Sequence, residues 1–183
     1  MSTLFDGIRT QCLVKEDFSK TGQVLSAFVS ASTLVKATKR LWDKGYFIED
    51  VSAIDTTDGI VVHYHFDHFT DPGRVTLRVI VDRDDPKVPT ISHIFSGADW
   101  HERECCDFHG VEFEGHPHLV PLLLPAEAAD ENPLLKADKK RVGIGGVLNL
   151  GEVVSCAPAI EELFAEPEPE AEAEAEAEAE GEG

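Results

Sequence analysis

The nineteen residues from Asp99 to Pro117, DWHERECCDFHGVEFEGHP, hold two adjacent cysteines, three histidines and six acidic side chains. Such a stretch is open to three chemistries: metal binding, acid–base catalysis, or recognition by another protein. On a helix, His101, Cys105 and His109 fall at i, i+4 and i+8, one face that three metal ligands could share. Cys105 and Cys106 point about 100° apart on a helix and would not ligate together. A structural zinc would also need a fourth ligand, for which His116 is available. Glu102 and Glu104 offer two carboxylates for acid–base work. They project to different sides of a helix, and Arg103 between them favours ion pairing instead.

A second stretch, HYHFDH from His63 to His68, fits H-x-H-x-D-H letter for letter. It resembles the motif of the metallo-β-lactamase superfamily, whose histidines and aspartate bind zinc and generate hydroxide. A period of two puts His63, His65 and Asp67 on one strand face, opposite Val62, Tyr64 and Phe66. That alternation is also what an ordinary half-exposed strand shows. The superfamily presents its motif from a loop with small residues after it, whereas Phe69-Thr70-Asp71-Pro72 follows here. A zinc hydrolase using His63, His65, Asp67 and His68 therefore stands as the rival reading. The four cysteines, Cys12, Cys105, Cys106 and Cys156, fit no zinc-ribbon, iron–sulfur or disulfide spacing, and a cytosolic chain would keep them reduced. Gly143-Ile144-Gly145-Gly146 lacks the rest of a dinucleotide fingerprint and reads as a turn.

The elements that must position these residues are legible in outline. Residues 1–22 have no clear period, and Gly22 to Ala31 reads as a short strand. Ser32 is a candidate cap for a helix with Leu34, Val35, Thr38, Leu41 and Trp42 as its apolar stripe, ended by Gly45. Tyr46 to Asp55 reads as a strand, Thr57-Asp58-Gly59 as a hairpin turn, and Ile60–Phe69 and Arg74–Val81 as two further strands. The segment Ala98 to Phe108 suits a helix closed by Gly110, after which Pro117, Pro121, Pro125 and Pro133 break the chain into loops. The expected fold is α+β and two-layered, with helices on a mainly antiparallel sheet. One domain is expected over 1–125, an irregular extension over 126–165, and a disordered tail over 166–183.

The totals narrow the function classes. The chain has 183 residues and a formal net charge of −19. Nine glutamates in the tail EPEPEAEAEAEAEAEGEG account for part of this, and without them the charge is −10 over 165 residues. Like charges at i and i+4 disfavour a helix in that tail, which reads as a solubilising segment rather than a lure for a basic partner. The negative charge argues against nucleic acid as a ligand. No apolar run approaches a membrane span, and the N-terminus lacks the apolar core of a secretory signal, so a cytosolic location is expected.

Taken with its upstream residues, the opening stretch resembles the C-type subunit of proton-pumping NADH:quinone oxidoreductase, the 30-kDa subunit family of respiratory complex I. The residues that carry the resemblance are Pro89, Ala98, Trp100, Glu102-Arg103-Glu104, Asp107, Gly110-Val111, Phe113 and Gly115-His116-Pro117. It covers roughly residues 30–125 and weakens beyond. Where the family carries arginine after Gly-His-Pro, this chain has Val120-Pro121, and a later basic element is only echoed by Asn132 to Asp138.

The resemblance implies a non-catalytic scaffold with no cofactor of its own and no metal, its iron–sulfur clusters and quinone belonging to partner subunits. Those partners would be the D-type, quinone-site subunit and the B-type, iron–sulfur subunit. The location implied is peripheral, on the cytoplasmic side of the cell membrane. In the family the slots of Cys105 and Cys106 usually carry apolar or aromatic residues and that of His109 an apolar one, which favours packing over ligation. Trp100, Phe113 and His116 become packing and anchoring residues, and the charges of Glu102, Arg103, Glu104 and Asp107 are satisfied either across an interface or within the chain itself. Similar subunits in membrane-bound energy-converting [NiFe] hydrogenases supply the alternative.

Overall fold

The computed structural model describes residues 2–128 and 131–165, so the expectation of a disordered tail at 166–183 lies outside the described residues. The strands are β1 (Cys12–Lys15), β2 (Gln23–Phe28), β3 (Phe47–Thr56), β4 (Gly59–Asp67), β5 (Arg74–Val81), β6 (Lys87–Pro89), β7 (Glu112–Glu114) and β8 (Glu152–Cys156). The helices are α1 (Phe18–Thr21), α2 (Ala31–Asp43), α3 (Ala98–His109), α4 (Ile144–Val147) and α5 (Pro158–Glu161). Six strands form one sheet in the order β3-β4-β5-β2-β1-β8, antiparallel except where β2 meets β5, and β6 pairs with β7 apart from it. The α+β, mainly antiparallel class expected from the sequence is the one observed.

The hairpin between β3 and β4 closes where Thr57-Asp58-Gly59 called for a turn. Gly59 has φ +127°, and a Cβ there would lie 2.4 Å from the carbonyl oxygen of Val81, so the site takes only glycine. Helix α2 ends in a Schellman turn: Gly45 N–H donates to Trp42 O and Tyr46 N–H to Leu41 O. Its start differs from expectation. Ser30, not Ser32, is the N-cap residue, and its hydroxyl meets those of Ser32 and Thr33 rather than a backbone N–H. The buried positions are Leu34, Ala37, Thr38 and Leu41, the i, i+3, i+4, i+7 line, which turns Val35 and Trp42 toward solvent. Each buried leucine contributes about 2 kcal/mol, and Leu41→Ala would cost roughly 3 kcal/mol.

The two faces of the sheet are covered differently. On one face, α2 and α3 pack over Leu25, Ala27, Ile60, Val62, Tyr64, Phe66, Leu77 and Val79, the alternate residues of β2, β4 and β5. On the other, the chain beyond residue 143 folds back so that Ile160, Leu163 and Phe164 pack with Cys12, Val14 and Phe28. Residues 1–22, which showed no period, contain β1; at four residues it is too short to display one. The expectation that all four cysteines stay reduced is also corrected. Cys12 and Cys156 form a disulfide across β1 and β8, where they are register partners with Cα atoms 4.0 Å apart. A separation of 144 residues hid this pair from any reading of spacing.

Candidate functional site

Helix α3 carries most of the chemistry-bearing residues and packs on β3. It starts after Gly97 and ends at Gly110, whose φ of +69° reverses the chain into β7 with its N–H donating to Cys106 O. Glu102 is fully buried. Its Oε1 accepts the Ile91 N–H at 2.8 Å, its Oε2 accepts the Thr90 hydroxyl, and His116 Nε2 stands 3.8 Å away. Burial pushes this carboxyl up to about 7, partly offset by the Thr90 and Ile91 donors. His116 accepts the His118 N–H on Nδ1, which leaves its ring proton on Nε2, aimed at the Asp99 carbonyl at 3.3 Å.

Arg103 does not pair with the glutamates on either side. Its Nε and Nη2 donate to the carbonyls of Val120 and Pro121 at 2.9 and 3.0 Å, and its nearest carboxylate is Asp99 at 4.0 Å. Asp107 is the counterpart. A single oxygen, Oδ2, accepts the N–H groups of Leu122, Leu123 and Leu124 at 2.9, 2.7 and 3.0 Å. Burial raises this carboxyl, but the three amide donors outweigh it and hold it below the usual carboxylate value. The two side chains thus fasten the loop 120–124 to the helix. Glu104 and Trp100 remain exposed, Phe113 is buried in the main core, and Pro117 is exposed just after His116, whose side chain is buried.

The metal readings meet a different geometry. His101 Nδ1 faces Asp50 at 3.4 Å, and Cys105 is buried with its thiol on the Val51 carbonyl. Burial pushes the Cys105 thiol up and the His109 imidazole down. His116 lies instead among Glu102 and Asp99. Cys12 and Cys156 belong to the opposite face of the sheet from Cys105. Segment HYHFDH supplies the second half of β4, His63 to Asp67, and the first residue after it. His63 and His65 lie ring over ring at 6.1 Å, and His65 Nδ1 meets Thr76 Oγ1. Asp67 Oδ1 accepts the N–H groups of His68 and Gly73, and His68 Nδ1 accepts that of Asp71. Among the described residues no three His, Cys, Asp or Glu side chains come together as a metal would require.

Sequence reasoning missed Thr90, whose hydroxyl meets Glu102, and the loop that Arg103 and Asp107 hold; no spacing signals either. It also missed a buried polar network on the other sheet face. Arg78 Nη1 donates to Ser26 Oγ at 2.8 Å, Ser26 Oγ donates to Glu16 Oε1 at 2.6 Å, and the guanidinium lies over Phe28. An arginine inside the alternating run RVTLRVIV was the available clue. His63, beside Arg78 in the ladder, is buried, which with the Arg78 and His65 charges lowers its imidazole to about 3.

The family described as respiratory-chain NADH dehydrogenase, 30 Kd subunit, matches residues 27–141. Proteins named as the C subunit of NADH-quinone oxidoreductase, from Chloroherpeton thalassium and Roseiflexus sp., are 40% and 34% identical over 88 and 119 residues. These alignments cover 47% and 61% of this chain, and 36% and 68% of the relatives. A Psychrobacter sp. protein named as the C/D subunit of NADH-quinone oxidoreductase is 34% identical over 131 residues, covering 66% of this chain but 20% of its own length. The chain thus spans about a third of the first of these relatives and a fifth of the last. A solved structure of the membrane-bound sulfane sulfur reductase, an archaeal respiratory membrane complex, shares the fold. Its TM-score is 0.63 at 20% identity, over 80% of this chain and 85% of that one.

Proposed function

The chain belongs to the respiratory-chain NADH dehydrogenase 30-kDa subunit family, and on that premise we propose that it is a non-catalytic scaffold in the peripheral arm of an NADH:quinone oxidoreductase. It docks a D-type, quinone-site subunit and a B-type, iron–sulfur subunit, and it holds no cofactor itself. Its place is peripheral, on the cytoplasmic side of the membrane. Among the described residues no helix is long and apolar enough to cross a membrane. A boundary near residue 165 sets an acidic tail apart from the docking domain, to whose sheet residues 126–165 return through β8.

The observation that carries this reading is the use made of the family-matching charges. Glu102, Arg103 and Asp107 are spent on fixing α3 to Thr90-Ile91 and to the loop 120–124, which suits a rigid platform better than an acid–base centre. The pairing with a D-type subunit draws support from the Psychrobacter relative, whose name joins C and D.

The test is recovery of the tagged chain from its native membranes, with the co-purifying proteins identified by mass spectrometry. A quinone-site subunit together with NADH-oxidising subunits is the expected result. A nickel–iron large subunit in their place would make the chain the equivalent part of an energy-converting hydrogenase. A chain recovered alone with stoichiometric zinc that is lost on His65→Ala would overturn the proposal in favour of a hydrolase.

A further inference from the structure

Five hydrogen bonds from two charged side chains hold the loop between Val120 and Leu124. Yet the loop buries little of its own apolar surface: Val120 is 42% and Leu123 58% exposed, and Trp100 beside it is 68% exposed. Trp100, Leu122 and Leu123 line a groove of about 500 Å³ together with Gly97, His101 and Glu104. Exposed apolar residues on a monomer are ordinarily scattered; here they converge and are immobilised. Immobilising them ahead of contact removes ordering entropy that association would otherwise cost, and a tryptophan at a groove is the side chain most apt to anchor a partner.

The charges around the groove indicate what sits in it. Glu104 is exposed on the groove wall, and Asp50 stands behind His101 at 3.4 Å. Arg103, the one arginine or lysine on α3, is already committed to two carbonyls and Asp99. The chain as a whole is acidic, at −10 without its tail. Taken with the proposed role in a multisubunit complex, on which this rests, we infer that the groove seats an apolar side chain of a partner subunit flanked by lysine or arginine. Trp100 and Leu123 bury the apolar anchor, and Glu104 meets the flanking cation.

The experiment compares full-length tagged variants by the amount of each partner subunit they recover from native membranes. Trp100→Ala and Glu104→Lys should each lower recovery at least tenfold, with the melting temperature of the purified chain unchanged. Phe18→Ala, at a 57% exposed aromatic elsewhere, should recover partners like the wild type. If both groove variants recover partners in wild-type amounts, the groove assignment is overturned while the scaffold reading stands. If the wild-type chain recovers no partner subunit, both are overturned together.

Discussion

The two faces of the sheet solve the same burial problem by different means. The helical face is built mostly from residues inside the family match, 27–141, with Phe5, Ile8, Leu13 and Leu25 added from before it, and its charged side chains tie helix to loop within the matched segment. The opposite face is closed from outside the match, by β8, α5 and Phe164 returning over β1 and β2 and by the Cys12–Cys156 disulfide. Each face leaves buried polar atoms without a hydrogen bond among the described residues: His63 Nε2 and Arg78 Nε on this one, Tyr64 Oη and His109 Nδ1 on the helical one. One face is locked by side-chain hydrogen bonds between residues 11 to 18 positions apart. The other depends on a covalent link across almost the whole chain.

That contrast is open to direct attack. The largest effect is expected from opening the disulfide, by reduction or by Cys156→Ser. Loop entropy over 144 residues sets a scale of about 5 kcal/mol. Hydrogen exchange should rise over residues 144–160 and stay unchanged in α3; equal rises in both would mean the faces are not independent. Next is Asp107→Ala, which strands three loop N–H groups and should cost about 3 kcal/mol in urea unfolding. Its exchange signature should be the reverse, confined to residues 120–124 and the end of α3.

A third prediction sets the faces against each other by pH. Glu102, raised to about 7 when folded, contributes stability that is complete below about 4.5 and lost as pH rises through 7. His63, lowered to about 3, contributes stability that is complete above 6.5 and lost as pH falls toward 3. Between 4.5 and 6.5 the two slopes oppose. Glu102→Gln should leave stability rising with pH in that window, and His63→Gln should leave it falling, each by on the order of 2 kcal/mol. Identical pH profiles for both variants and the wild type would remove this account. The smallest effect is expected at Glu152, whose 3.7 Å pair with Lys15 is solvent-exposed. Glu152→Ala should change the unfolding free energy by less than about 0.5 kcal/mol.

The sequence made the helical face legible because its information is local. Period-two alternation in Ile60–Asp67 and Arg74–Val81, the turn at Thr57-Asp58-Gly59 and the stop at Gly45 each act over a few residues. The family resemblance picked out Glu102, Arg103 and Asp107, but their partners came from the fold. Thr90 lies 12 residues before Glu102, and the amides on Asp107 lie 15 to 17 residues after it. The opposite face was illegible for the same reason carried further. β1 and β8 are short, their register is set by each other, and Cys12 and Cys156 meet only once the sheet exists. The stripe on α2 was misplaced by one small residue: Ala37 is buried where the larger Val35 and Trp42 drew attention.

The most direct test of the account is hydroxyl-radical footprinting of the chain alone and within the complex purified from membranes. The account predicts that Trp100, Leu122 and Leu123 lose reactivity in the complex while Val153 and Val154 on β8 keep theirs. Protection of β8 with Trp100 left reactive would contradict it, and would make the disulfide-closed face the one that meets the partner.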